Sequence, residues 1–165
     1  MRMIKQDKDS CVWASLAMVL NERLDTVVHN FSDWDDRYPF AGEWSEVPRV
    51  PSVHEICDIA YRDFNTAFVP FEYDPEVFPH ENCPPIKVWT RTRKQPTRTP
   101  RGVFESQLSL GPGLIEGINT NSGRGHMVAW DRSVVYDPRG YCYSINVTDK
   151  FDFQPRRFWL AVAVK

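Results

Sequence analysis

An α+β fold is predicted for this chain, and three observations predict it. Up to Phe64 the apolar residues recur at helical spacing, whereas from Ile86 onward they alternate in short strand-like runs. Thirteen prolines and eight glycines supply many turns and strand ends, more than a helix bundle uses. The length of 165 residues suits one domain, residues 1–165, with enough chain to bury a continuous apolar core.

The helical elements come first. Asp9 and Ser10 offer N-cap oxygens to a helix starting at Cys11, followed by Trp13, Leu16, Ala17, Leu20 and Leu24 at helical spacing. Residues 29–51, rich in aromatics, acids and proline, read as a long irregular connection. A second helix covers about Ser52–Phe64, with Val53, Ile56, Cys57, Ala60, Tyr61 and Phe64 as its apolar stripe. Pro70, Pro75, Pro79, Pro84 and Pro85 then restrict residues 66–85 to short extended pieces.

The strands follow. Ile86–Thr90 alternates, and Arg91–Arg101 is a basic, proline-containing stretch that reads as a solvated loop. Val103–Leu110 makes a short helix ended by Gly111-Pro112-Gly113. Leu114–Asn119, His126–Trp130, Val134–Asp137, Tyr141–Val147 and Phe158–Val164 read as successive antiparallel strands. There is no internal repeat, no phosphate-binding glycine loop and no linker that divides the chain.

Composition narrows the function classes. Lys plus Arg is 20 and Asp plus Glu is 22, a formal net charge of −2, which argues against nucleic acid or an anionic membrane as partner. An aromatic content of 13% is too high for a disordered chain. The first residues contain no apolar signal segment, and no run approaches the ~20 apolar residues of a membrane span. The expectation is therefore a cytoplasmic protein with free thiols.

Cys11, Cys57, Cys83 and Cys142 are scattered without a C-x-x-C pair, which speaks against a disulfide framework. His54/Cys57 and His80/Cys83 share the H-x-x-C spacing that a tetrahedral zinc could use. The simpler reading makes Cys57 a small hydrophobe in a helix stripe and leaves Cys83 in an irregular stretch before Pro84-Pro85. No metal and no cofactor are expected.

Cys11 differs from the other thiols because it stands where a helix begins. The unpaired N–H groups and the positive end of the helix dipole favour an anion there, as a thiolate nucleophile requires. Downstream, Gly125–Pro138 reads as two strands joined by a tight turn at Asp131-Arg132. That turn sets His126 directly opposite Asp137, where a carboxylate can orient an imidazole and stabilise its charged form. Asp131, at the far end of the strand, is roughly 17 Å from His126 by strand rise and is the poorer orienter. Gln6, five residues before Cys11, carries an amide that can donate to an oxyanion beside the Cys11 N–H.

Together Gln6-Asp7-Lys8-Asp9-Ser10-Cys11, Gly125-His126-Met127-Val128 and Tyr136-Asp137-Pro138-Arg139-Gly140 resemble the papain-like cysteine peptidases. The likeness is strongest to the branch that processes bacteriocin leader peptides after a double glycine. The pieces follow the family's order over most of the chain, residues 29–85 excepted. Two positions depart from the pattern: the family spaces its Gln six residues before the Cys, and has Gly where Val12 stands. The membrane spans and ATPase of transporter-fused members have no counterpart here.

The resemblance implies a papain-like fold, with an N-terminal helix carrying Cys11 packed on a C-terminal antiparallel sheet carrying His126 and Asp137. It implies a stand-alone cysteine peptidase acting on a polypeptide or protein through an acyl-enzyme, with Cys11, His126, Asp137 and Gln6 as site residues. The same residue types also suit a deamidase, an isopeptidase or a transglutaminase-like enzyme on that fold. A third reading is a non-catalytic binding or inhibitor protein that kept the scaffold. Nothing in the sequence specifies an oligomeric state.

Overall fold

The computed structural model describes residues 1–6, 11–37, 51–71 and 108–164. Within them lie three α-helices and a six-stranded antiparallel sheet. The predicted strand at 86–90, the basic loop 91–101 and most of the short helix from Val103 fall outside these residues. The described elements form an α+β arrangement.

Helix α1, Cys11–Leu20, is buried continuously from Val12 to Val19. A helix apolar on every side has to be covered on every side, and α1 lies between β3 and helix α2, Leu24–Arg37. It ends at Asn21, whose φ of 57° places it in the left-handed region, with the Glu22 N–H closing back on Ala17 O. Leu24 therefore belongs to α2 and does not extend the first helix. The existence of α2 corrects the reading of residues 29–51 as irregular from their start. Leu24, Val27, Val28 and Phe31 already have helical spacing, and Val27 and Phe31 are buried, Phe31 edge-on against Trp13 at 4.5 Å.

Helix α3, Val53–Phe64, starts where expected. Ser52 Oγ accepts from the Glu55 N–H, and the Glu55 carboxylate accepts from the Ser52 N–H at 2.7 Å, a complete capping box. Its buried face is Ile56, Ile59 and Ala60, with Cys57 and Phe64 partly buried against the same core. Tyr61, assigned to the stripe from sequence, is exposed.

The sheet has the order β1-β6-β2-β3-β4-β5. Its strands are β1 Thr66–Phe71, β2 Pro112–Asn119, β3 Gly125–Asp131, β4 Val134–Asp137, β5 Tyr141–Ser144 and β6 Phe153–Ala163. Strand β1 pairs with the end of β6 and forms an edge, which is where Pro70 can be accommodated. The strand predicted over Tyr141–Val147 stops at Ser144, and a kinked 3₁₀ segment covers Ile145–Phe151.

Two apolar clusters sandwich the sheet. Met127 and Ala129 join α1, α2 and α3 on one face, whereas Val128 and Trp130 join Leu108, Ile115, Tyr143, Phe153 and Phe158 on the other. Glycines in β2 make room for this second cluster. A Cβ on Gly113 would lie 2.2 Å from the Trp130 ring, and one on Gly117 would lie 2.5 Å from the Phe153 ring.

The β3–β4 hairpin turns one residue later than predicted. Asp131 remains in the ladder opposite Val134, and Arg132 (φ 57°) and Ser133 form the turn. Ala129 then pairs with Tyr136 and Trp130 with Val135, so Asp137 is not directly opposite His126. The slip amounts to two positions along the partner strand. Because side chains alternate with a period of two, both residues still share a face, now as diagonal neighbours.

A candidate active site at the start of strand β3

Three elements converge where β3 begins. Ser15, buried one helical turn after Cys11, donates its hydroxyl to the Met127 carbonyl at 2.9 Å. Met127 follows His126, so this bond sets the height of α1 against β3 right beside the candidate pair. Residues 7–10 lie outside the described chain, and with them the proposed Asp9 or Ser10 cap.

His126 and Asp137 are 7% and 0% exposed, and His126 Nε2 lies 3.0 Å from Asp137 Oδ1. His126 sits on the sheet face away from α1, with its ring edge-on to Phe153 at 5.7 Å. Cys11 belongs to the helix-covered face, yet it is near enough to His126, around the end of the strand, to be among the groups that raise its pKa. With Nε2 directed at Asp137, Nδ1 is the ring nitrogen left for the thiol. At Gly125, the first residue of β3, an added Cβ would meet nothing within 4 Å.

The electrostatics follow from these contacts. Burial disfavours a charged imidazole, but hydrogen bonds to Asp137 and Cys11 outweigh it and raise His126 from 6.5 to about 9. Burial also disfavours the Asp137 carboxylate, and its bonds to His126 and Arg139 overcome that to hold it at about 2. Burial, followed by the Asp137 charge, pushes the Tyr143 hydroxyl well above its ordinary range.

Gln6 is brought to this end of the sheet by its backbone. Its N–H donates to the Pro138 carbonyl at 2.8 Å, and the Lys5 methylenes cover Gly140, which has a φ of 100°. The N-terminal segment therefore lies across the turn that follows Asp137. Of the remaining thiols, Cys57 is partly buried, with burial and then the Asp58 charge raising its pKa. Cys142 is exposed on β5. His54 is exposed on α3, and His80 and Cys83 lie outside the described residues. Among the described residues no group of three or more His, Cys, Asp or Glu could hold a metal ion.

Sequence reasoning missed Ser15, Arg139 and Tyr143. Arg139 had a local signal: its N–H donates to Asp137 Oδ1 at 2.9 Å, the turn that an Asp-Pro-x segment favours. The chain matches no family model, no curated protein and no solved structure. Among the described residues no helix is long and apolar enough to cross a membrane.

Proposed function

We propose that the protein is a cysteine peptidase of the papain-like type, nearest to the branch that processes double-glycine leader peptides. One observation carries the reading. A single buried histidine is bonded to a buried carboxylate, and a helix-start cysteine is among the groups that raise its pKa.

In this reading the Cys11 thiolate attacks a peptide carbonyl carbon, and its electrons move onto the oxygen. The oxyanion is held by the Cys11 N–H and the Gln6 amide. As the C–N bond breaks, the His126 proton passes to the leaving amine and a thioester remains on Cys11. Water, giving its proton to His126, then attacks the thioester. The carboxylic acid departs and the thiolate–imidazolium pair is restored. Asp137 orients the imidazole throughout, keeping Nδ1 toward the thiol.

Alkylation with iodoacetamide at pH about 6 tests the nucleophile, because ordinary thiols, with pKa near ~8.5, are then largely protonated. Cys11 is expected to react well ahead of Cys57 and Cys142, and His126→Ala to remove that advantage. Equal rates at the three thiols would overturn the proposal. Comparing new peptide termini in a proteome treated with the wild type or with Cys11→Ala then identifies cleavage. Deamidated glutamines in place of new termini would assign the site to amide hydrolysis of side chains.

A further inference from the structure

Asp137 has no exposed surface, and both of its oxygens are occupied. Oδ1 accepts from His126 Nε2 at 3.0 Å, from the Arg139 N–H at 2.9 Å and from Arg139 Nε at 3.1 Å. Oδ2 accepts from Arg139 Nη2 at 2.7 Å, Arg139 Nε at 3.1 Å and the Tyr143 hydroxyl at 3.3 Å. Arg139 is itself anchored. Its Nη2 also donates to the Phe151 carbonyl, and its guanidinium lies 5.8 Å from the Tyr141 ring centre. Phe151 in turn stacks on Tyr143 at 4.2 Å with 8° between the planes.

A buried carboxylate without a counter-charge is strongly disfavoured. If His126 were the only cation beside Asp137, each loss of the imidazolium proton would strand that charge. His126 would then hold its proton too firmly to release it to a leaving amine. The Arg139 guanidinium removes this constraint, because it balances Asp137 whether or not His126 is charged.

We propose that Arg139 is a positioning residue for this site: it locks Asp137 with Oδ1 toward His126 and balances the carboxylate when His126 gives up its proton. The inference rests on the reading of His126 as the proton carrier. The ionisable groups around the pair are Cys11 from α1, Asp137 from β4, Arg139 from the turn and Tyr143 from β5, with Asp152 acting on Arg139.

The test is the titration of His126 in the full chain, followed by nitrogen NMR of the imidazole and assigned with His126→Ala. Arg139→Gln removes the charge but keeps a side-chain donor, and is expected to raise the His126 midpoint by about one pH unit or more. Arg139→Lys keeps the charge, and its midpoint should stay within about half a unit of the wild type. An unshifted midpoint in folded Arg139→Gln overturns the proposal. So does a one-unit shift in Arg139→Lys, which decides the matter alone if Arg139→Gln does not fold. Cys11→Ala separates the two readings. If it leaves the wild-type midpoint unchanged, the peptidase proposal fails, while the Arg139 response can still be read through the Asp137–His126 bond.

Discussion

His126 and Asp137 meet on a diagonal of the β3–β4 ladder, Nε2 to Oδ1 at 3.0 Å, two positions away from direct opposition. A diagonal contact leaves Asp137 turned toward the β4–β5 connection, where Arg139 and Tyr143 also reach it.

Replacing Asp137 with Asn leaves a buried guanidinium and a buried imidazole without their common anion. Breaking a buried charge pair in this way costs about 3–5 kcal/mol, which urea unfolding at pH about 6 would measure. The His126 midpoint should fall below that of the wild type. Peptidase activity should drop on the order of 10²-fold or more, read as kcat/KM.

Stability should depend on pH through the same two residues. His126 is raised from 6.5 to about 9, so its contribution is complete below 6.5 and is lost as pH rises through about 9. Asp137 is lowered from 3.8 to about 2, so its contribution is present above 3.8 and is lost as pH falls through about 2. Thermal unfolding of the wild type should therefore show a plateau between roughly pH 4 and 6.5, with a decline through about 9. His126→Ala should flatten the alkaline decline.

Gly117 and Gly125 should respond unequally to alanine. At Gly117 the new Cβ would lie 2.3 Å from the Gln154 carbonyl and 2.5 Å from the Phe153 ring, and backbone cannot yield cheaply. The expected loss is about 1–3 kcal/mol, with a moved His126 resonance because Phe153 packs on that ring. At Gly125 the Cβ enters open space, and stability should change by no more than about 0.5 kcal/mol. Denaturant midpoints and a His126 spectrum for the two variants decide this.

Two serines separate general stability from site geometry. Ser52→Ala removes the α3 cap and should cost about 1 kcal/mol while leaving the relative alkylation rate of Cys11 unchanged. Ser15→Ala strips a buried donor from the Met127 carbonyl, costing about 1–3 kcal/mol, and should also slow Cys11 alkylation at pH about 6. Measuring both quantities on both variants makes the contrast.

Much of this arrangement was legible because it rests on local signals. The strand Val134–Asp137 and the capped helix from Ser52 were read within a residue of their ends. The hairpin turn was misplaced because Asp131-Arg132 and Arg132-Ser133 are equally plausible polar turns, and register depends on which is used. His126 and Asp137 survived that error through parity alone. Helix α2 went unread because acids and aromatics in its second half obscured the spacing of Leu24, Val27, Val28 and Phe31. The pairing of β1 with β6 joins residues nearly a hundred positions apart, and no local pattern encodes it. Ser15 was equally hidden, since a hydroxyl bonded to a distant carbonyl leaves no periodic trace.

That serine bond has a kinetic consequence. Cys11 and His126 are carried by different secondary-structure elements that are stapled together through the protein's main buried layer. Their encounter therefore survives only while α1 stays seated on the sheet. Cys11 reactivity becomes an internal clock for the opening of that interface, falling in step with amide exchange along α1 and β3 rather than with the motions of any surface loop.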